Sequence, residues 1–430
     1  MTSPLPQPAG GPTAASRPLP APGPRRRGPR RALAALGIIA LLLAGLLTLL
    51  VIGVEVGPVA LATGLVLAVL PVPVYVALAL FVDRFEPEPP QLLAWAFFWG
   101  ATGATLIALI VNSAGQALVG STFGSAVGEL YGASLSAPVV EEGSKAIVLL
   151  AIYRWRRAEF DGVLDGIVYA AMVGLGFAFA ENVLYYARTA LEGGVPLAAV
   201  FFVRGVLAPF AHPVFTALTG VGLGLVALRP SLSGLLPAVG LLGAMILHSI
   251  WNTSAGVAGG LGFLTVYVGV MVPVFLVLVA VAVGALLRER RVLREYLQPE
   301  LASGLLSHED LATLSSLRER RRALQAAKRQ GPAARRGVEE LHHVATELAF
   351  LRRHIARRPQ RRGEDLAGRE AAYTARLQEL RAALPLASSA AAPATAALVA
   401  QAPAAWYRDP YGQARLRWWD GWRWTEHTAG

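Results

Sequence analysis

The chain has 430 residues, of which 54% are hydrophobic and only 16% charged. An ordinary soluble domain carries roughly a quarter charged residues, and here the deficit is concentrated in 33–287, with arginine-rich segments on either side. The net charge of +11 comes without any nucleic-acid recognition motif, so nucleic acid is not expected as a partner and anionic lipid accounts better for the basic flanks. The absence of cysteine excludes disulfides and thiolate metal sites.

Residues 1–32 are Pro, Gly and Ala interrupted by Arg25, Arg26, Arg27, Arg30 and Arg31. Such a composition cannot build a core and predicts a disordered basic tail. The apolar run 33–54 starts too late and continues too long for a signal peptide, which makes it the first membrane span. Further spans are predicted at 58–82, 91–112, 133–153, 164–188, 198–227, 233–257 and 262–287. The second contains Pro71 and Pro73, the sixth Pro209 and Pro213. The Gly/Ser-rich stretch 113–132 reads as a loop or a short interfacial helix. The fold class is therefore an all-α polytopic membrane protein with about eight transmembrane helices.

Loop charge gives a second view of this topology. With the basic tail in the cytoplasm, loops after even-numbered spans are cytoplasmic and carry Arg84, then Arg154, Arg156 and Arg157, then Arg229, then Arg288, Arg290 and Arg291. The opposite loops carry almost none. Both termini are thus expected in the cytoplasm of a cell whose plasma membrane holds the chain. Residues 288–382 show apolar residues at helical spacing and predict cytoplasmic amphipathic helices, broken near Gly331-Pro332 and Pro359. An Ala/Pro linker covers 383–404, and a mini-domain at 405–430 is rich in tryptophan: Trp406, Trp418, Trp419, Trp422 and Trp424.

Few ionisable residues fall inside the spans. The fourth holds Glu141, Glu142 and Lys145; the fifth holds Glu181 beside Asn182; the sixth Arg204 and His212; the seventh His248 and Asn252. A charge at a helix centre costs about 2.5–3.5 kcal/mol on insertion scales, so these groups should face one another within the bundle. Glu141 and Lys145 are i,i+4 neighbours, as are His248 and Asn252. Glu141, Glu181 and His248 lie roughly 10–15 Å from the outer ends of their helices, in one layer. A purely structural role, polar pairs that lock helix packing, competes with a catalytic one. Glutamate can act as general base toward water. Glutamate and histidine also ligate a catalytic zinc ion (Zn2+) that keeps an open position. The candidate ligand set is Glu181, His212 and His248, with Glu141, Glu142, Lys145 and Asn252 as candidate catalytic residues. The spacing is not His-Glu-x-x-His, and it leaves metal-dependent and glutamate-based chemistry both open.

The motifs as a set resemble the PrsW intramembrane proteases, relatives of the membrane CAAX prenyl endopeptidases. The resemblance rests on Asp83-Arg84-Phe85-Glu86-Pro87-Glu88-Pro89 and Glu141-Glu142-Gly143-Ser144-Lys145. It continues through Asp165-Gly166-Ile167, Gly174-Leu175-Gly176-Phe177, Glu181-Asn182, His212 with Thr216, and His248 with Asn252. It covers roughly 33–287 and implies hydrolysis of peptide bonds in a membrane-anchored protein substrate, an anti-sigma factor in the family's namesake. It implies Glu141 or Glu142 as the base, with Glu181, His212 and His248 as metal ligands or oxyanion stabilisers. A scaffold or ion-coupled transporter, and a CAAX- or bacteriocin-processing peptidase, are the alternatives. The terminal segment is similar to a short Trp-rich domain of unknown function found on bacterial membrane proteins.

Overall fold

A computed structural model describes residues 28–384 apart from 86, 158, 193, 230, 232–233, 258 and 358–364, and residues 405–429 apart from 411–413 and 420–423. Most of the basic tail, nearly all of the Ala/Pro linker, and Glu86 and Trp422 lie outside the described residues. The chain forms two compact units, residues 1–287 and 288–430.

The first unit is entirely helical among the described residues: α1 (Gly28–Val56), α2 (Pro58–Val69), α3 (Val72–Val82), α4 (Pro90–Phe98), α5 (Thr105–Phe123), α6 (Ser125–Tyr131), α7 (Ala137–Trp155), α8 (Val163–Ala190), α9 (Gly194–Phe202), α10 (Ala211–Leu228), α11 (Leu235–Val257), α12 (Gly259–Val266) and α13 (Val272–Tyr296), the last crossing into the second unit. Several are joined without a break by single π-turns, at Trp99–Ala104, Gly132–Ser136 and Tyr267–Met271, while a fourth, Val203–Leu207, extends α9 and ends before α10. Seven helices among the described residues are long and apolar enough to cross a membrane. The remaining predicted span, 133–153, is α7, which has 19 residues but carries Glu141, Glu142, Lys145 and Arg154. The stretch 113–132 is helical rather than a loop. The α5 helix runs to Phe123, Gly124 turns the chain at φ 98°, and α6 returns along it. The protein is an all-α, multi-pass membrane protein.

The α8 helix sits at the centre of the unit and is buried on nearly all sides, from Val163 to Ala187. A helix apolar all round is one enclosed by others. Its neighbours approach at glycines. A Cβ on Gly166 would lie 2.1 Å from the Gly220 carbonyl oxygen, and one on Gly174 would lie 2.5 Å from the Pro213 nitrogen. Only glycine permits backbones to touch like this, the small-residue mode of packing in membranes. These contacts set the depth of α10 against α8, and with it the position of His212.

The second unit contains α14 (Gln298–Ala302), α15 (His308–Leu314), α16 (Leu317–Gln330), α17 (Pro332–Arg357) and α18 (Leu366–Ala383). Ser307 caps α15 by accepting from the Asp310 amide while the Asp310 side chain accepts from the Ser307 amide, a reciprocal capping box. Arg352 grips Glu300 with two parallel bonds of 2.6 and 2.8 Å and also donates to Glu370. The chain ends in an antiparallel sheet of β1 (Ala405–Arg408), β2 (Leu416–Trp419) and β3 (Trp424–Ala429), with Trp406 opposite Trp418 and Trp419 opposite Trp424. Tryptophans in edge-to-face contact, Trp406 with Trp418 and Trp419 with Trp424, supply the packing that so short a segment cannot obtain from a conventional core.

Candidate active site

Four helices deliver the polar residues of the first unit to one buried cluster. On α7, Glu141, Glu142 and Lys145 are all buried, Lys145 completely. The Lys145 Nζ donates to Glu142 Oε1 at 2.7 Å and lies 3.6 Å from Glu141 Oε2. It also sits 3.9 Å above the Phe177 ring and 3.0 Å from His212 Nδ1. An ammonium group has donors only, so His212 Nδ1 accepts and Nε2 carries the ring proton, which it donates to Glu181 Oε2 at 2.7 Å. The same Glu181 oxygen accepts from Arg204 Nη2 at 2.6 Å, while Arg204 Nε donates to Asn182 Oδ1 at 2.8 Å. Arg204 thus pairs with a buried carboxylate and lies flat over Tyr185.

His248 on α11 is oriented from two sides. Phe215 stacks on its ring at 4.7 Å, and its Nδ1 donates to Glu142 Oε1 at 3.1 Å. Glu142 is fully engaged, because its Oε2 also accepts from Thr216 Oγ1 at 3.0 Å. With Nδ1 protonated, the lone pair on His248 Nε2 faces Glu141 Oε2 at 3.8 Å. That carboxylate oxygen is buried and has no hydrogen-bond partner among the described residues. Two acceptors directed at each other across such a gap repel unless a cation lies between them.

Glu141, His212 and His248 form a group whose ligand atoms all lie within 4.8 Å of one another. Ligands of a tetrahedral zinc ion at 2.0–2.1 Å are about 3.3 Å apart, so the cluster is slightly open but of the right donor type. The buried Glu141 oxygen without a hydrogen bond, and a carboxylate holding the second nitrogen of His248 in the arrangement typical of metal-bound imidazole, both fit a resident divalent ion. His212 would serve as a third ligand through a ring nitrogen that now meets Lys145 or Glu181. The group differs from the expected set of Glu181, His212 and His248 in its carboxylate, because Glu181 is held by Arg204 and His212. Asn252 donates to the Ala133 carbonyl at 3.1 Å and, with Ser249 and Thr253, ties α11 to the π-turn at 132–136.

Two further residues belong to the cluster. Asn112 Nδ2 makes a long contact of 3.5 Å with Glu141 Oε1, and Ser136 Oγ donates to Asn112 Oδ1 at 2.8 Å. A solitary asparagine in the apolar run of α5 was the available signal.

Residues 88–278 match the family model described as PrsW family intramembrane metalloprotease. This part of the chain, under half of its length, is similar to the PrsW family. Relatives include Protease PrsW of Bacillus subtilis, 32% identical over 142 residues, covering 33% of this chain and 59% of the relative. Protease PrsW of Geobacillus kaustophilus is 31% identical over 143 residues, covering 33% and 57%. That of Clostridioides difficile is 30% identical over 142 residues, covering 32% and 55%. The chain therefore spans a little over half the length of these PrsW relatives. Residues 404–430 match a family of unknown function, DUF2510. No solved structure matches the chain.

Proposed function

We propose that the chain is a membrane-embedded metallo-endopeptidase that cleaves membrane-anchored proteins. The observation that carries this reading is the buried Glu141 oxygen that accepts no hydrogen bond and faces the His248 lone pair across 3.8 Å. An anti-sigma factor is the substrate class suggested by the family resemblance. Glu141, His212 and His248 would hold a divalent ion, and the ion, when bound, would supply Lewis-acid polarisation of the peptide carbonyl and of water.

The protein's own groups supply the remainder. Glu142 fixes the ring of His248 and, together with Thr216, keeps that helix face in register. Lys145 and Arg204 offset two of the three carboxylate charges of the cluster, which leaves one for the ion to balance. Glu181 is the most accessible of the three, with a side chain 21% exposed, and it suits the role of general base. Its Oε1 takes a proton from the attacking water and returns it to the leaving amine nitrogen, while Arg204 and His212 hold the carboxylate in place through Oε2. Depth in the bilayer keeps bulk water out and strengthens each of these interactions.

The test pairs metal content with cleavage. The protein is reconstituted in proteoliposomes and assayed on single-span model substrates, with and without chelator. Glu141→Gln and His248→Ala should each abolish bound metal and cleavage together. Undiminished cleavage in both variants would end this reading.

A further inference from the structure

The helix that delivers His212 is broken beside the cluster. After α9, the π-turn Val203–Leu207 leads into Ala208–Phe210, which are not helical, before α10 begins at Ala211. Irregular backbone at membrane depth is tolerated only where it is buried in protein or lines a cavity. Two tyrosines from other helices satisfy the carbonyls it frees: Tyr75 donates to Val206 at 3.3 Å and Tyr267 to Leu207 at 2.9 Å.

Against this break lies a cavity of about 100 Å3. Part of its lining is polar and belongs to the catalytic cluster: Asn182, Arg204 and His212. Another part is apolar: Trp251, Ala255 and Phe263, with Trp251 and Phe263 in edge contact at 4.9 Å. His248, Trp251 and Ala255 recur at helical spacing on one face of α11, so the helix that presents a candidate ligand also builds the cavity wall.

We propose that this cavity is the pocket for one aliphatic side chain of the substrate beside the bond to be cut, with Ala255 and Phe263 setting its size. The proposal rests on the peptidase reading above. A cavity of 150 Å3 lined by apolar side chains holds a benzene molecule. The smaller space here suits an isopropyl or isobutyl group and excludes an aromatic ring. The apolar wall takes the side chain, and Arg204 and Asn182 place donors where the adjoining peptide carbonyls pass, next to His212.

The experiment profiles cleavage by the full chain in proteoliposomes against a library of single-span reporter proteins. Each reporter carries seven randomised residues at the bilayer boundary, and products are read by mass spectrometry. The wild-type profile should favour Val, Leu, Ile and Met at one position. Ala255→Phe fills the pocket and should shift that position to Gly, Ala and Ser by tenfold or more, since a single methylene in a pocket already discriminates about 10–200-fold. Phe263→Ala enlarges it and should admit Phe and Tyr, and this variant carries the test should Ala255→Phe fail to fold. A wild-type protein that cleaves the library while both variants keep its profile would overturn the pocket and leave the peptidase standing. No cleavage by the wild type would overturn the peptidase reading itself.

Discussion

Glu141 and Glu142 are adjacent in sequence but point about 100° apart on α7, and their partners differ accordingly. Glu142 accepts from Lys145, His248 and Thr216, whereas Glu141 keeps one oxygen without a hydrogen bond. Substitution should separate these roles. Glu142→Gln weakens the hold on His248 and should lower metal affinity about 10–100-fold. Glu181→Gln should leave metal content intact and lower kcat about 10²–10⁴-fold, the usual contribution of a general base. Metal lost in Glu181→Gln would instead make Glu181 a ligand. Outside the spans, another pair of acids bears on stability. Burial first, then the charge of Asp165, push the Asp83 carboxyl up to about 7 and the Glu88 carboxyl up to about 11. Tyr169 donates to Glu88 Oε2 at 2.5 Å, and Asp83 accepts from the Glu88 amide. Both acids keep their protons in the folded state at pH values where the unfolded chain has lost them. The contribution of these two acids to stability is therefore fully present below about pH 4 and is lost as pH rises through the Asp83 value toward that of Glu88. Glu88→Gln keeps an acceptor for Tyr169 without the titration. It should slow hydrogen exchange across residues 83–93 at pH 8, by on the order of 1 kcal/mol or more, and change little at pH 5. An equal effect at both values would refute the assignment.

At the scale of helices, the contact between α8 and α10 determines where His212 stands. Gly220→Ala places a Cβ about 2 Å from a backbone oxygen of Gly166, so the helices must separate. The cost should be about 1–3 kcal/mol, with a larger loss of cleavage, because His212 moves with α10. Gly284→Ala on α13, where a Cβ meets nothing within 4 Å, is the control and should be neutral or slightly stabilising. A Gly220→Ala variant with normal melting and activity would show that the close approach has no consequence. The spans themselves were legible because twenty apolar residues leave few other options in a chain of this composition. The π-turns were not, since an i→i+5 bond leaves no mark on hydropathy. The residues of the cluster could be gathered from the cost of burying charge, which falls alike on Glu141, Glu142, Glu181 and both histidines. Their separate roles could not, because a rotation of one residue on α7 decides which carboxylate meets Lys145 squarely and which faces His248 Nε2. Asn112 escaped notice for a related reason: one amide in an apolar helix costs far less than a charge and reads as ordinary packing.

On the scale of the whole molecule, the location of the two ends depends on how many helices cross. Seven are long and apolar enough to do so, and α7, whose Glu141, Glu142 and Lys145 are buried in the cluster, would make an eighth crossing. Eight crossings would put the N-terminal tail and the C-terminal unit on one side, the side that would also carry Arg84, Arg154, Arg156, Arg157 and Arg229. The chain contains no cysteine, so single introduced thiols report their side without background. Ser16→Cys and Ser388→Cys should react with a membrane-impermeant maleimide only in inside-out vesicles. Glu192→Cys, in the turn after α8, should react only in right-side-out cells. Labelling of Ser16→Cys and Ser388→Cys from opposite sides would mean an odd number of crossings. The α7 helix would then enter the bilayer and leave by the same face, and the cluster would have to be reached from that face alone. The charge distribution argues against this. A helix that re-entered would bring Arg154, Arg156 and Arg157 to the side opposite Arg84, whereas basic loops are retained where translation leaves them.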